Sequence, residues 1–300
     1  MSQLIQCVPN FSEGRDAKVI EGLLDVAQSV EGVTLIDASS DASHHRTVVT
    51  LIGNPTGIEE VAVRLMRYAV EQIDLTTHQG EHPRMGAMDV CPLIPLKGIT
   101  TEECVEVAKR IGQRASEGLA LPIFLYEAAA SVPARRNLAR IRKGEFEAMA
   151  NKLQQPEWQP DYGPSVPHPT AGVTAVGVRQ PLVAFNVNLN TADLSIAQEI
   201  ARSVRGSSGG FKHCKAIGVM LEDQQIAQVS MNMTDTQKLP LYRVFECIKL
   251  EAKRYGVSVL SSEIIGLTPG QALADSAAYY LQLKTFDYQQ QVIENHLILS

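Results

Sequence analysis

Leu182–Leu189, LVAFNVNL, alternates apolar Phe185 and Val187 with polar Asn186 and Asn188, the period of a half-buried strand. The elements C-terminal to it decide the fold. Asp193–Val204 puts Ile196, Ile200 and Val204 on one helical face. Two strand patterns, Cys214–Leu221 and Ile226–Met233, flank the turn Glu222-Asp-Gln-Gln225. Leu241, Val244, Phe245, Ile248 and Ala252 share a second helical face, Gly256 ends it, and Val257–Ile265 is a last strand. Strand, helix, strand, strand, helix, strand is the split-βαβ, ferredoxin-like unit.

The first half of the chain repeats the pattern, with little residue identity. Leu4–Val8 is a short strand ended by Pro9, and Ser12 or Asp16 caps the helix after it. Val33–Ile36 and Arg46–Ile52 are strands around a polar loop, DASSDASHH (37–45). Ile58, Val61, Ala62, Leu65, Met66, Ala69 and Ile73 mark a wide apolar helix face. The fold class is therefore α+β, two ferredoxin-like βαββαβ domains, 1–180 and 181–300. Between the units lie a helix (102–119), a strand (121–126) and a basic helical stretch (135–153). Gln154–Gln180 is rich in Pro and Gly and reads as irregular, passing between the domains where ligand clefts form.

Composition excludes several classes. A net charge of −6 argues against a nucleic-acid or anionic-membrane surface. Five cysteines, an odd number without a C-x-x-C pair, fit free thiols in a reducing compartment. The first residues lack the basic-then-apolar pattern of a signal peptide, and no apolar run reaches membrane-spanning length. The expectation is a cytoplasmic protein without nucleic-acid or membrane partners.

Chemistry concentrates in HQGEHPRMGAMDVCPLIPL (78–96). Gly80, Pro83 and Gly86 forbid a helix, so its polar half is a loop; Val90–Leu96, with two prolines, reads as an extended, edge-like segment. His82 stands in that loop with Glu81 and Arg84 beside it to tune its proton affinity. A second polar group is Asp37, Asp41, His44, His45 and Arg46. His78-x-x-x-His82 has metal-ligand spacing only on a helix, which Gly80 and Pro83 oppose, so no metal is expected. No G-x-S-x-G, Walker or G-x-G-x-x-G motif is present.

GEHPRMGAMDVCP (80–92), CVPNFSEG (7–14), KLQQPEWQPDYGP (152–164) and QVSMNMTD (228–235) together resemble the glutamate formiminotransferase family, in its monofunctional form. The resemblance runs nearly end to end. It implies folate-dependent transfer of a formimino group from N-formimino-L-glutamate to N5 of tetrahydrofolate, in histidine degradation, with folate held between the two domains. The catalytic histidine falls on His82, in the N-terminal subdomain. Asp37 and Asp41 are candidates to face the cationic amidine, although this loop carries Ser39 and Ser43 where relatives carry acids. A formyl donor needs no such carboxylate, so a glutamate formyltransferase, or 5-formyltetrahydrofolate salvage at the same site, stays open. A folate-binding protein without turnover is the alternative of another class.

By the same resemblance Gly163, Pro164, Ser165, Val166, Pro167, His168, Pro169, Thr170, Ala171 and Gly172 are the folate-binding segment. Asn10, His44, Arg46, Arg84, Asn186 and Asn188 are candidates for substrate binding; arginine suits carboxylates because it binds them bidentately. Tetrahydrofolate is implied as co-substrate, a homodimer as the assembly, and a separate protein as the consumer of the product.

Overall fold

The computed structural model describes residues 3–80 and 82–297. The chain divides between Arg179 and Gln180 into two compact units.

In the first unit β1 (Leu4–Cys7) and β2 (Asn10–Phe11) form one strand path interrupted at Val8-Pro9. After them come α1 (Ala17–Gln28), β3 (Val33–Asp41), β4 (Arg46–Gly53), α2 (Pro55–Gln72) and β5 (Met88–Lys97). These strands pair antiparallel in the order β3, β4, β1 with β2, β5. That is the split-βαβ arrangement. Asp16 caps α1 and Asn54 caps α2 with side-chain oxygens, while the Ser12 hydroxyl instead donates to the Gly86 carbonyl.

The sheet then continues. α3 (Thr101–Leu119) leads to β6 (Ile123–Glu127); α4 (Leu138–Arg142) and α5 (Glu145–Lys152) come next; β7 (Thr174–Val178) inserts between β5 and β6, parallel to both. Cys91, Leu93, Ile123, Leu125 and Val176 face one core with α1, α2 and α3. Val90, Phe124, Tyr126 and Ala175 face a second, smaller core with Ile141 of α4 and Met149 of α5. Burial on both faces explains the unbroken apolar runs of β5, β6 and β7.

The structure corrects four local readings. β5 is interior, not an edge: Pro92 sits opposite the break between β1 and β2, and Pro95 opposite the register shift at Leu4–Ile5, where a missing N–H costs no ladder bond. The polar 37–45 segment is strand as far as Asp41, because as the edge β3 pairs with β4 and leaves its polar side chains in solvent. The basic 135–153 stretch breaks at Gly144, which has φ +90°. The segment Gln154–Gln180 is not all irregular, since it contains β7.

The second unit runs β8 (Val183–Leu189), α6 (Leu194–Val204), β9 (Cys214–Leu221), β10 (Ile226–Met233), α7 (Leu241–Arg254) and β11 (Val259–Ile265), with α8 (Gly270–Tyr280) after it. Its sheet order, β11-β8-β10-β9, is again the antiparallel split-βαβ order. Val183, Phe185, Val187 and Leu189 face the core with Ile200 and Ile248. Among the described residues no helix is long and apolar enough to cross a membrane.

Candidate active site

His82 lies half-buried in the loop between α2 and β5, and both sides of that loop are fastened. On one side Gly80 rests on the β3–β4 turn: a β-carbon there would stand 2.7 Å from the His44 carbonyl oxygen. The His78 ring stacks on His45, centroids 4.1 Å apart, and its Nε2 lies 3.1 Å from the His45 carbonyl oxygen. His45 in turn meets Glu13 Oε1 at 3.0 Å, and Glu13 accepts from the backbone N–H groups of Gly14, Arg15 and Asp16. On the other side Arg84, buried, donates to Glu145 at 3.1 Å, to both Glu147 oxygens at 2.6 and 2.9 Å, and to His78 Nδ1 at 3.2 Å. Glu81 lies outside the described residues.

Among the described residues, the charges that act most on His82 are positive. Burial, then the fields of Arg46 and Arg142, then those of His44 and His78, push its proton affinity down to a pKa of about 3. The imidazole is neutral at physiological pH. Arg142, the last residue of α4, is anchored by an ion pair to Asp89 of β5, whose other oxygen accepts the Met85 N–H at 2.7 Å. Burial pushes the Asp89 carboxyl up, against the pull of Arg142 and Arg46. Lys152 stabilises the end of α4 from below, donating from Nζ to the Arg140 carbonyl at 2.7 Å and the Lys143 carbonyl at 3.1 Å, beneath the Trp158 ring.

The segment Gly163–Gly172 is laid along the same loop. Gly86 and Gly172 form a β-bridge; the Ala87 N–H donates to Ala171 O at 2.9 Å and the Val173 N–H to Met85 O at 3.0 Å. Gly172 has φ +66°, and a β-carbon there would meet the Met85 carbonyl at 2.2 Å, so only glycine allows this approach. His168 closes the turn: its Nδ1 accepts from the Ala171 N–H at 3.1 Å, which leaves Nε2 as the protonated nitrogen. The start of the segment is held by Asp161, which accepts the Leu125 N–H at 2.7 Å and pairs with buried Arg135 at 2.9 Å.

The remaining candidates from the sequence are spread over both units. Asp37 and Asp41 lie on one face of β3, cross-strand from Thr50 and Arg46. Asp41 accepts from the Ser43 and His44 N–H groups and from the His44 ring, contacts that hold its carboxyl below the usual range. Asn10 sits between β4 and β5 and donates to Val8 O at 2.9 Å. Asn186 and Asn188 lie on the polar face of the second unit's sheet, in a network with Gln228, Ser261 and Glu263. No group of three or more His, Cys, Asp or Glu suited to a metal occurs among the described residues.

The family model for the formiminotransferase domain, N-terminal subdomain, matches residues 4–179, and that for the formiminotransferase domain matches 184–298. The chain belongs to the formiminotransferase family. It is 59% identical to a glutamate formimidoyltransferase of Streptococcus pyogenes, over 99% of this chain and all of that one. It is 43% identical to a glutamate formimidoyltransferase of Thermoplasma acidophilum, over 95% of this chain and 94% of the relative. Against the mouse formimidoyltransferase-cyclodeaminase it is 44% identical over 93% of its length, spanning 53% of that protein.

Within this formiminotransferase fold, several residues of the site escape sequence reading. Arg142 is hidden in a basic helical stretch, and Asp89 in an apolar strand. Glu145 and Glu147 carry no motif that marks them, and Glu13, although inside CVPNFSEG, shows nothing of its link to His45. A buried acid inside an otherwise apolar strand is the one legible signal, since isolated buried carboxylates need partners.

Proposed function

We propose that the protein transfers the formimino group of N-formimino-L-glutamate to N5 of tetrahydrofolate. The observation that carries this reading is one juxtaposition: a neutral, half-buried His82 in a loop to which Ala171 and Val173, on either side of Gly172, are directly hydrogen-bonded. N5 attacks the amidine carbon, and the bond forms as the N5 proton passes to His82. The tetrahedral intermediate then breaks its bond to the glutamate nitrogen. The imidazolium returns its proton to that nitrogen, releasing L-glutamate and 5-formiminotetrahydrofolate. Acid–base catalysis of this kind supplies about 10²–10⁴-fold, and alignment of two bound substrates supplies more.

One observation favours a second reading at the same site. The described residues place a positive field on His82, which disfavours a cationic amidine and suits a neutral formyl group. Asp41 is committed to its own turn, so Asp37 is the carboxylate of β3 that has no partner among the described residues.

A rate assay decides between them. Tetrahydrofolate is offered N-formimino-L-glutamate or N-formyl-L-glutamate, with the folate product followed by absorbance. Faster formimino turnover supports the first reading and faster formyl turnover the second. Folate binding without turnover of either would leave a binding protein. A cytoplasmic homodimer belongs to the same proposal, and light scattering of the purified protein checks the assembly.

A further inference from the structure

We propose that Arg46 and Arg142 form the subsite for the α-carboxylate of the amino-acid donor, with Asp89 as the fixed counter-ion beneath them. The inference deepens the transfer reading above and rests on it.

Three observations carry it. First, Arg46 has no hydrogen-bond or ion-pair partner among the described residues, although its Nε is shut off from solvent. The Nε of Arg142 is buried and unpartnered too, and among the described residues its guanidinium is held through Nη2 on Asp89. Elsewhere in the unit Arg64, Arg84, Arg110 and Arg114 are all paired with glutamates. Second, the two guanidiniums act on each other: burial and Arg142 together pull Arg46 down from its ordinary value. Arg142 pairs with the buried Asp89 and Arg46 acts on the same carboxylate through its charge, while Asp41 is half-exposed and engaged with His44. Burying an uncompensated cation is costly, and an incoming carboxylate removes that cost. Third, both cations act on His82, and in an acidic protein such a local excess of positive charge has to be built deliberately.

The chemistry selects the α-carboxylate. His82 must reach the nitrogen that leaves the donor, and the α-carboxylate is attached one carbon from that nitrogen. It is the carboxylate that can lie against the same cations that act on the imidazole. Among the described residues, the charged groups acting on His82 are Arg46 from β4, Arg142 from α4, His44 from the β3–β4 turn and His78 from its own loop. Asp41 and Asp89 are the acids that face Arg46. Seating a carboxylate on the arginine pair offsets the first two. Burial still acts on the ring, so a bound donor raises the imidazole's proton affinity above its low value in the empty site without restoring it fully.

The test uses L-glutamate as the probe, with Arg46→Gln, Arg142→Gln and the conservative Arg46→Lys, each checked for native circular dichroism. Histidine-labelled protein is titrated with pH by NMR, the His82 signal being assigned with His82→Asn. In the wild type, saturating L-glutamate is expected to raise the His82 midpoint by more than about one pH unit, as an opposite charge within a few Å does. The glutamine variants are expected to lose that response, and the lysine variant to keep part of it. Their KM for the donor should rise about tenfold or more, the scale of a lost charge-assisted pair, with KM for tetrahydrofolate unchanged. A donor lacking only the α-carboxylate should lose kcat as well as affinity. An unchanged His82 midpoint on glutamate binding, or glutamine variants that respond like the wild type, overturns the subsite. Wild type that shows the midpoint shift but transfers no formimino group overturns the transfer reading and leaves the subsite standing.

Discussion

The ring of His78 lies parallel to that of His45, at 8° and with centroids 4.1 Å apart, and through this stack the β3–β4 turn holds the loop that carries His82. Two rings in contact cannot both be charged cheaply, and burial already lowers the proton affinity of His78. Neither ring is part of the reaction as proposed. Their contribution is position.

Removal of the stack should therefore reduce rate more than stability. His45→Ala is expected to lower kcat about tenfold to a hundredfold, the cost of a catalytic group misplaced by about 1 Å. Tm should fall only a little, because His45 is partly exposed. Backbone hydrogen exchange across 78–84 should speed up; unchanged exchange with lost kcat would mean that His45 touches substrate.

Gly80→Ala asks the same question by adding atoms. The new β-carbon would overlap the His44 carbonyl and the His45 side chain, each 2.7 Å away. Backbone cannot give way as a flexible side chain can, so the loop must lift. We expect loss of most transfer activity in a folded protein, with folate affinity reduced less than rate. Rate assays beside folate titration by fluorescence check this.

Arg84 separates positioning from substrate binding. Its guanidinium already serves Glu145, Glu147 and His78. Because both glutamates are largely exposed, the pairs are solvent-screened, and Arg84→Gln should cost only about 1–2 kcal/mol by urea unfolding. kcat should fall with it while KM for both substrates stays near the wild-type value. A selective rise in one KM would make Arg84 a substrate ligand.

His82 also has a signature in stability. Its pKa is 6.5 in the ordinary state and about 3 in the fold. Above pH 6.5 both folded and unfolded chains hold it neutral, and it has no effect. As pH falls from 6.5 towards 3 the unfolded chain takes up a proton that the fold refuses, so stability is lost across that window. Tm should drop more between pH 7 and 5 in the wild type than in His82→Asn. Equal drops would place the histidine in a more solvated, less cationic setting than the structure shows.

Much of this protein is legible in its sequence, for a physical reason. Periodicity reports burial, so the alternation in Val183–Leu189 and the helical faces of α2, α6 and α7 reveal both split-βαβ units directly. Glycine and proline report backbone, so 78–86 reads as a loop from the residues alone. The motif around His82 carries the family. Interior position is less legible: β5 reads as an edge because its prolines are compatible with the interior only where β1 breaks and shifts register, a fact of the partner strand.

Which charges pair is not legible, although an acid inside an apolar strand, Asp89, signals that a partner is needed. Nothing local says that Arg84 is spent on Glu145 and Glu147 while the Arg46 side chain has no partner among the described residues, or that Arg142 pairs with Asp89 and acts on His82. Electrostatic interactions depend on distance and on exclusion of water, and both are fixed only when residues far apart in the chain are folded against one another. The sequence determined the two ferredoxin-like units. The tertiary structure alone decided which cations act on His82 and which guanidinium nitrogens are buried without a partner among the described residues, because both depend on residues far apart in the chain.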